Sequence, residues 1–446
     1  MKKAGLLILL AAQLVIILAF WAWNHMNHAM GNQLTGEAVG QLLAYGRLAG
    51  LLAAFAILLQ LILTGRVKWV ESVFGLDRLS RLHHILGFSL VLLLVMHPVL
   101  VTIGHAKQSD SGIIAQFVDF CKNWEDVLAA AVGLGLMIFA IIVSIAIIRK
   151  HLRYETWHII HMTFYISIAL AFGHQLAVGS DFTGNRYFAG YWYALYIITF
   201  GNLIYYRIIR PLWKFNRHRF TVTGIVTESA DVTSVHIGGR EMASFKIKAG
   251  QFMMLRFLAK GFRWQSHPFS MSCLPDGKHL RVTIKQLGDF TRKIPDLNPG
   301  TKVIIDGPHG IFTARKCLSP NAVMIAGGIG ITPIRSLAEE LLQAGRNVHL
   351  IYSNRTRESI VFRRELDELA AAFPGKIKLT YVISEDPAWQ GERGRLDRDK
   401  TARLVPDTKE CDFYLCGPPP MMKSMRLSLL SLGVRSGKIH YERFSL

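Results

Sequence analysis

Long unbroken apolar stretches recur in the first half of this 446-residue chain and stop near residue 214. Each runs about 20 residues, the length at which an α-helix crosses a hydrocarbon core of roughly 30 Å. In lipid every backbone amide must be satisfied within the segment, so such stretches dictate membrane-spanning helices. We expect spans near 5–23, 40–63, 82–103, 126–148, 156–178 and 189–209. Lys2 and Lys3 precede the first stretch as they would a secretory signal. No A-x-A cleavage site is evident, however, and the run outlasts a signal's apolar core, so it reads as an anchor.

The net charge of +20 alone would suit a nucleic-acid partner. In the membrane half, however, the basic residues sit mostly at the ends of the apolar runs, which argues against nucleic acid and for a lipid bilayer. Lys2, Lys3, Arg66, Lys68, Arg78, Arg81, Arg149, Lys150, Arg153, Arg207, Arg210, Lys214, Arg217 and Arg219 fall on one side, and Lys107, Lys122 and Arg186 on the other. By the positive-inside rule both termini and the polar second half lie in the cytoplasm, with the chain in the plasma (inner) membrane. Arg47 falls within or near the second span, either snorkelling to the outer interface or placing a cation near a cofactor or acceptor. The five cysteines are scattered and form no CxxC pair, so neither a disulfide scaffold nor a zinc site is expected.

Ionisable residues inside a bilayer are costly and point to function. The third span carries His83, His84 and His97; the fifth carries His158, His161 and His174. On each helix a histidine near the cytoplasmic end is followed by another 13 or 14 residues later, a rise of roughly 20 Å. Two haems stacked through the membrane, each clamped by one histidine from either helix, need such a spacing. The 14-residue step from His83 to His97 returns to within about 40° of one face, whereas the 13-residue step from His161 to His174 lands about 140° away on an ideal helix. The fifth span therefore needs a bulge, a curve or ligands approaching from flanking directions. Zinc and copper lack a carboxylate or thiolate among these spans. His84 and His158 read as neighbours of the ligands.

From about residue 218 the pattern changes to short β-rich runs, Phe220–Val226, Gln251–Phe257 and Leu280–Lys285, separated by turn residues, which predicts a small antiparallel β-barrel. After about 318, strand candidates at 322–325, 348–352, 379–383 and 412–415 alternate with helical patterns, predicting a parallel α/β sheet. Between strand and helix stands Ala326-Gly327-Gly328-Ile329-Gly330-Ile331-Thr332-Pro333. Its glycines admit a pyrophosphate to the backbone, the helix N-terminus offers free N–H groups, and Pro333 suits the first helical position. The expected architecture is a six-helix all-α membrane haem bundle over 1–214, an antiparallel β-barrel domain over 215–316 and an α/β nucleotide domain over 317–446.

The sequences Arg81-Leu82-His83-His84-Ile85-Leu86-Gly87 with His97-Pro98, and Glu155-Thr156-Trp157-His158-Ile159-Ile160-His161, resemble the ferric reductase-like transmembrane family of NADPH oxidases and ferric-chelate reductases. The resemblance implies an inner b-type haem held by His83 and His161 and an outer one held by His97 and His174. His267-Pro268-Phe269-Ser270 resembles the flavin motif of the ferredoxin–NADP reductase superfamily. This implies that Ser270 hydrogen-bonds the isoalloxazine while His267 and Phe269 line the FAD. Gly288-Asp289-Phe290-Thr291 resembles that superfamily's second FAD element, with Thr291 facing the pyrophosphate, and Asp306–Phe312 its connecting turn. Cys416-Gly417-Pro418 resembles its C-G-P element, which implies a cysteine beside the nicotinamide. The tail Ile439–Phe444 resembles its closing segment: Phe444 is the candidate flavin shield, and Glu442 with Cys416 completes the catalytic candidates. Arg355, just past a strand where the family discriminates cofactors, suits a 2′-phosphate, so NADPH is expected over NADH.

The circuit these resemblances imply runs from NADPH through FAD and two bis-histidine haems to an acceptor on the outer face. Dioxygen giving superoxide is the expected acceptor. A ferric chelate, or a periplasmic protein served by an electron-supply subunit, is the alternative. With no EF-hand loop or long acidic segment, no obligatory regulatory subunit is expected.

Overall fold

The computed structural model describes residues 3–31, 37–145, 151–152 and 154–442. Lys2, Arg149, Lys150, Arg153, Phe444 and the end of the fourth expected span (146–148) lie outside them. Two compact units form: Met1–Val67 with Arg81–Leu203, and Lys68–Ser80 with Ile204–Leu446.

Among the described residues, five helices of the N-terminal part are long and apolar enough to cross a membrane: Lys3–Met26, Ala38–Thr64, Leu76–Gln108, Val127–Ser144 and Glu155–Ala177. The sixth expected span falls on a helix, Arg186–Ile204, continued by a π-turn at Tyr205–Ile209. Tyr187, Tyr191, Tyr193 and Tyr196 dilute its apolar character, and it is not among those five. The third span starts earlier than expected, at Leu76, so Arg78 and Arg81 stand on its first turns.

Leucines, isoleucines and aromatics surround these helices, so they expose apolar surface where a soluble protein would bury it. Ile8, Phe88 and Ile197 are 68%, 78% and 70% exposed, a cost in water and none in lipid. Larger side chains meet inside: Leu51, Phe55, Met137, Phe188 and Trp192 share one buried cluster.

In the second unit the β-rich runs fold into two three-stranded antiparallel sheets. One has the order β1-β2-β5 (Thr221–Ser229, Val232–Gly238, Leu280–Lys285). The other has the order β4-β3-β6 (His267–Ser270, Phe252–Phe257, Val303–His309). Isolated bridges, Thr221 to Lys302 and Met271 to Val282, link strand ends around a core of Phe220, Val235, Leu255, Phe257 and Ile305. The expected single barrel is thus two sheets closed over one core.

The rest forms a six-stranded sheet, parallel throughout, of order β10-β9-β8-β7-β11-β12. Its strands are β7 Asn321–Gly327, β8 Asn347–Asn354, β9 Ile377–Ile383, β10 Glu392–Arg393, β11 Cys411–Cys416 and β12 Ile439–Tyr441. All four strands expected here are present. Successive strands run outward from β7 on one side through β8, while β11 flanks it on the other. The strand order therefore reverses between β7 and β11, and the crevice beyond the carboxyl ends of such a pair is where parallel sheets bind ligands.

Candidate active site

In the membrane unit the histidines of the third and fifth spans come together in two pairs. The ring centres of His83 and His161 are 6.1 Å apart with planes at 73°, and those of His97 and His174 are 6.3 Å apart at 42°. Two imidazole nitrogens each about 2 Å from a shared central atom give a comparable separation of ring centres. The fifth helix reaches both partners as continuous α-helix over Tyr154–Ala177, without a bulge.

Second partners set which nitrogen is free. His97 Nδ1 lies 2.9 Å from the Gly46 carbonyl, which only accepts, so Nδ1 carries the proton and Nε2 keeps its lone pair. Ser144 donates its one hydroxyl hydrogen to Ala140 O (2.7 Å), so His161 Nδ1, 3.2 Å from that oxygen, must donate to it. Trp157 donates to the same hydroxyl and stacks on the His161 ring. His83 Nδ1 is buried with no hydrogen-bond partner. A Cβ at Gly50 would stand 2.7 Å from His97 Nδ1, so only glycine lets the ring sit so close to that helix.

Around the second pair opens a cavity of about 850 Å³, lined by His97, His174, Arg47, Gly50, Gln175 and Trp192 among others. Arg47 Nε lies 3.4 Å from Asp181 Oδ2, and Asn24 donates to the same carboxylate. Among the described residues no group of three or more His, Cys, Asp or Glu side chains could hold a metal ion. His97 and His174, beside a large apolar-walled cavity, therefore fit a metal whose remaining donors arrive with a macrocycle better than a bare ion. His84 and His158 are exposed on this unit's surface.

In the second unit, β4 pairs with β3 so that Ser270 opposes Phe252 and Pro268 opposes Met254. Ser270 is buried, Phe269 half-buried, and the His267 ring packs 4.0 Å from Phe290 while its Nε2 meets Gln265. Thr291 does not present its hydroxyl outward as expected. The oxygen accepts from Leu287 N (2.8 Å) and Gly288 N (3.0 Å) and donates to Gly288 O, so the side chain holds the turn together. No neighbour lies within 4 Å of where a Gly288 Cβ would be.

The glycine loop divides its labour differently from expectation. A Cβ on Gly330 would collide with the Cys416 carbonyl, and one on Gly327 would meet Met421 Sδ at 2.5 Å. These two glycines let the loop dock on the Cys416-Gly417-Pro418 element. Gly328, at φ +51°, has no neighbour within 4 Å of where its Cβ would be. Thr332 donates to Ile329 O, and Pro333 is the third residue of the Ile331–Gln343 helix, not its first, within the turn whose N–H groups need no intrahelical partner. Cys416 is 2% exposed; burial, then the Glu442 carboxyl, push its thiol well up, so it is a neutral thiol. Arg355 is exposed just past β8, its Nε 3.7 Å from Glu385 Oε1.

Sequence reasoning named Glu442 but missed the buried acidic residue it stands beside, Glu71. Glu71, on the short helix Lys68–Phe74, is fully buried and accepts from Gly310 N at 2.7 Å. His309 Nδ1 lies 4.0 Å from the same carboxylate, and His309 Nε2 lies 3.1 Å from Asp306. Glu442 packs beside Gly310, where a Cβ would stand 2.7 Å from its Oε2. Burial first, then Asp77 and Glu71, raise the Glu442 carboxyl to about 8. The signal available in the sequence was an acidic residue in a turn otherwise rich in cations, too common a pattern to single out.

Residues 49–172 match the ferric reductase-like transmembrane component, 225–313 an FAD-binding domain and 324–427 an oxidoreductase NAD-binding domain. The first match takes in His83, His97 and His161 and stops just short of His174. The chain thus joins a segment that matches a ferric reductase-like transmembrane component to segments that match an FAD-binding domain and an oxidoreductase NAD-binding domain.

NADH-cytochrome b5 reductase 1 of Candida albicans is 34% identical over 167 residues, 36% of this chain and 57% of that protein. A flavohemoprotein of Burkholderia sp. is 30% identical over 242 residues, 52% of this chain and 60% of that protein. An NADPH oxidoreductase of Mycobacterium tuberculosis is 28% identical over 250 residues, 54% and 64% respectively. The chain thus spans about three fifths of the length of these curated relatives. The flavohem-like FAD/NAD-binding domain of nitric oxide dioxygenase from Vibrio cholerae is similar at 25% identity and a TM-score of 0.46, covering 50% of this chain and 96% of that one.

Proposed function

We propose that this chain oxidises cytosolic NADPH and delivers its electrons singly across the membrane to dioxygen, giving superoxide on the outer face. The domains are 1–214, a six-helix membrane part; 215–316, for FAD; and 317–446, for NADPH. The overall reaction balances as one NADPH and two dioxygen molecules giving NADP⁺, one proton and two superoxide anions. FAD, when bound, takes a hydride and releases electrons one at a time, and the haems, when bound, relay them.

Each residue then has a task. His83 with His161, and His97 with His174, would hold the two haems, which would supply one-electron carriage between the two faces of the membrane. Ser270, His267, Pro268 and Phe269 line the flavin site, with Gly288 and the turn that Thr291 braces beside it. Gly328, together with the free N–H groups at Thr332 and Pro333's turn, receives the pyrophosphate of NADPH, and Arg355 its 2′-phosphate. The neutral Cys416 thiol with Gly417 and Pro418 walls the nicotinamide side. Phe444, outside the described residues, would be the flavin's cover. Glu442, protonated at neutral pH, holds a proton beside Gly310.

The observation that carries this reading is the double pairing of His83 with His161 and His97 with His174 on two apolar helices. The test is spectroscopic. Purified protein must show low-spin haem bands, two haems per chain, reduced by NADPH without air. Cytochrome c reduction sensitive to superoxide dismutase then identifies dioxygen as acceptor; dismutase-insensitive ferrous iron production identifies a ferric chelate. A protein colourless in the haem region overturns the proposal.

A further inference from the structure

A cavity of about 240 Å³ opens in the second unit, its wall built from Lys68, Arg210, Lys214, Arg217, His218 and Lys246 among others. No acidic side chain lines it. It falls below the roughly 300–1,000 Å³ of pockets that enclose drug-sized molecules, and suits a small charged group.

The cations are held in place. Lys214 Nζ donates to the Gly307 carbonyl and Lys68 Nζ to the next one, Pro308 O, at 2.7 Å, so two ammonium groups stand on consecutive peptide units. Lys214 is buried, and burial followed by Arg210 lowers its ammonium to about 7, Lys68 adding to the effect and Asp306 opposing it. Two carboxylates neutralise part of this charge from outside the wall: Glu71 meets Lys68 at 2.9 Å and Glu241 meets Arg217 at 2.8 Å. Arg210 lies over the Tyr206 ring and Lys246 donates to Ala243 O, both on neutral partners. Gathering cations at this density without matching anions is unfavourable unless something negative joins them.

We propose that this cavity binds a phosphate-bearing anion, with the headgroup of an anionic phospholipid as the source its place in the chain favours. Guanidinium forks and ammonium groups together match phosphate oxygens. Lys68 follows by four residues an apolar helix that ends at Thr64, and Arg210 follows the Arg186–Ile204 helix after one π-turn. Basic groups immediately past membrane helices meet the anionic leaflet. The inference does not depend on the electron-transfer reading.

The full-length chain in neutral detergent is titrated with dioctanoyl phosphatidylglycerol, dioctanoyl phosphatidylcholine or inorganic phosphate while its thermal midpoint is followed. Phosphatidylglycerol should stabilise it saturably and phosphatidylcholine should not. Arg210→Gln and Lys246→Gln should each weaken the apparent affinity about tenfold, as loss of one charge-assisted hydrogen bond implies. Lys246 is exposed, so its variant tests binding without disturbing the core. If inorganic phosphate saturates the same response, the free ion is the source and the proposal stands; if only phosphatidylglycerol does, the lipid is. Equal shifts with the two lipids and none with phosphate, or unchanged affinity in both variants, overturn it.

Discussion

At the scale of single residues, the proposed circuit makes its sharpest demands on His97, Glu442 and Arg355. His97→Ala should leave flavin reduction by NADPH at its original rate in stopped flow while acceptor reduction falls to background. An unchanged outward rate would remove His97 from the path. Glu442 has a folded-state value of about 8 against an ordinary 4.5. The folded chain therefore holds this proton more tightly than the unfolded one, and its stability contribution is intact below pH 4.5 and is lost as pH rises towards 8. Glu442→Gln removes that loss, on the order of 4 kcal/mol by pH 8. Its thermal midpoint should gain on the wild type between pH 5 and 8; parallel curves would show that the carboxyl is not buried as described. Arg355 is exposed and loosely paired, so Arg355→Ala should spare the fold and raise the KM for NADPH about tenfold, with little change for NADH. Equal effects on both donors would deny it the 2′-phosphate.

At the scale of elements, the glycine loop shows what a motif does and does not reveal. Strand, loop and helix were legible because glycine spacing and buried-strand runs are local properties. Which glycine touches the ligand was not, because that depends on Cys416 and Met421, some 90 residues further along. Gly330→Ala drives a methyl into the Cys416 carbonyl and should cost about 2–3 kcal/mol with loss of nucleotide binding. Gly328→Ala meets nothing and should cost about 1 kcal/mol from its positive φ alone. Chemical denaturation of the pair measures the difference, and equal losses would refute the division. The histidine helices teach a similar lesson. Spacing along each helix was readable, yet the ideal-helix angle argued against His161 and His174 sharing a face, and contact across helices was needed to resolve it.

At the scale of the whole molecule, charge asymmetry around the apolar runs predicts sidedness. Inside-out membrane vesicles should oxidise added NADPH and deliver product to their lumen, whereas right-side-out vesicles should not respond until permeabilised. The opposite pattern would invert the topology. Apolar length and cation placement made the membrane half legible. Glu71 was not, since a carboxylate that accepts from Gly310, 239 residues later, leaves no trace in local pattern.

Lys68–Ser80 belongs to the compact body that otherwise begins at Ile204. A protease that severed the polypeptide at that later point would therefore release an incomplete C-terminal half, stripped of the carboxylate that caps Gly310 and of part of the enclosure around Glu442. An autonomous water-soluble version would have to carry those thirteen residues grafted back on, and during synthesis they must wait for their partners until the ribosome has made the far end of the chain.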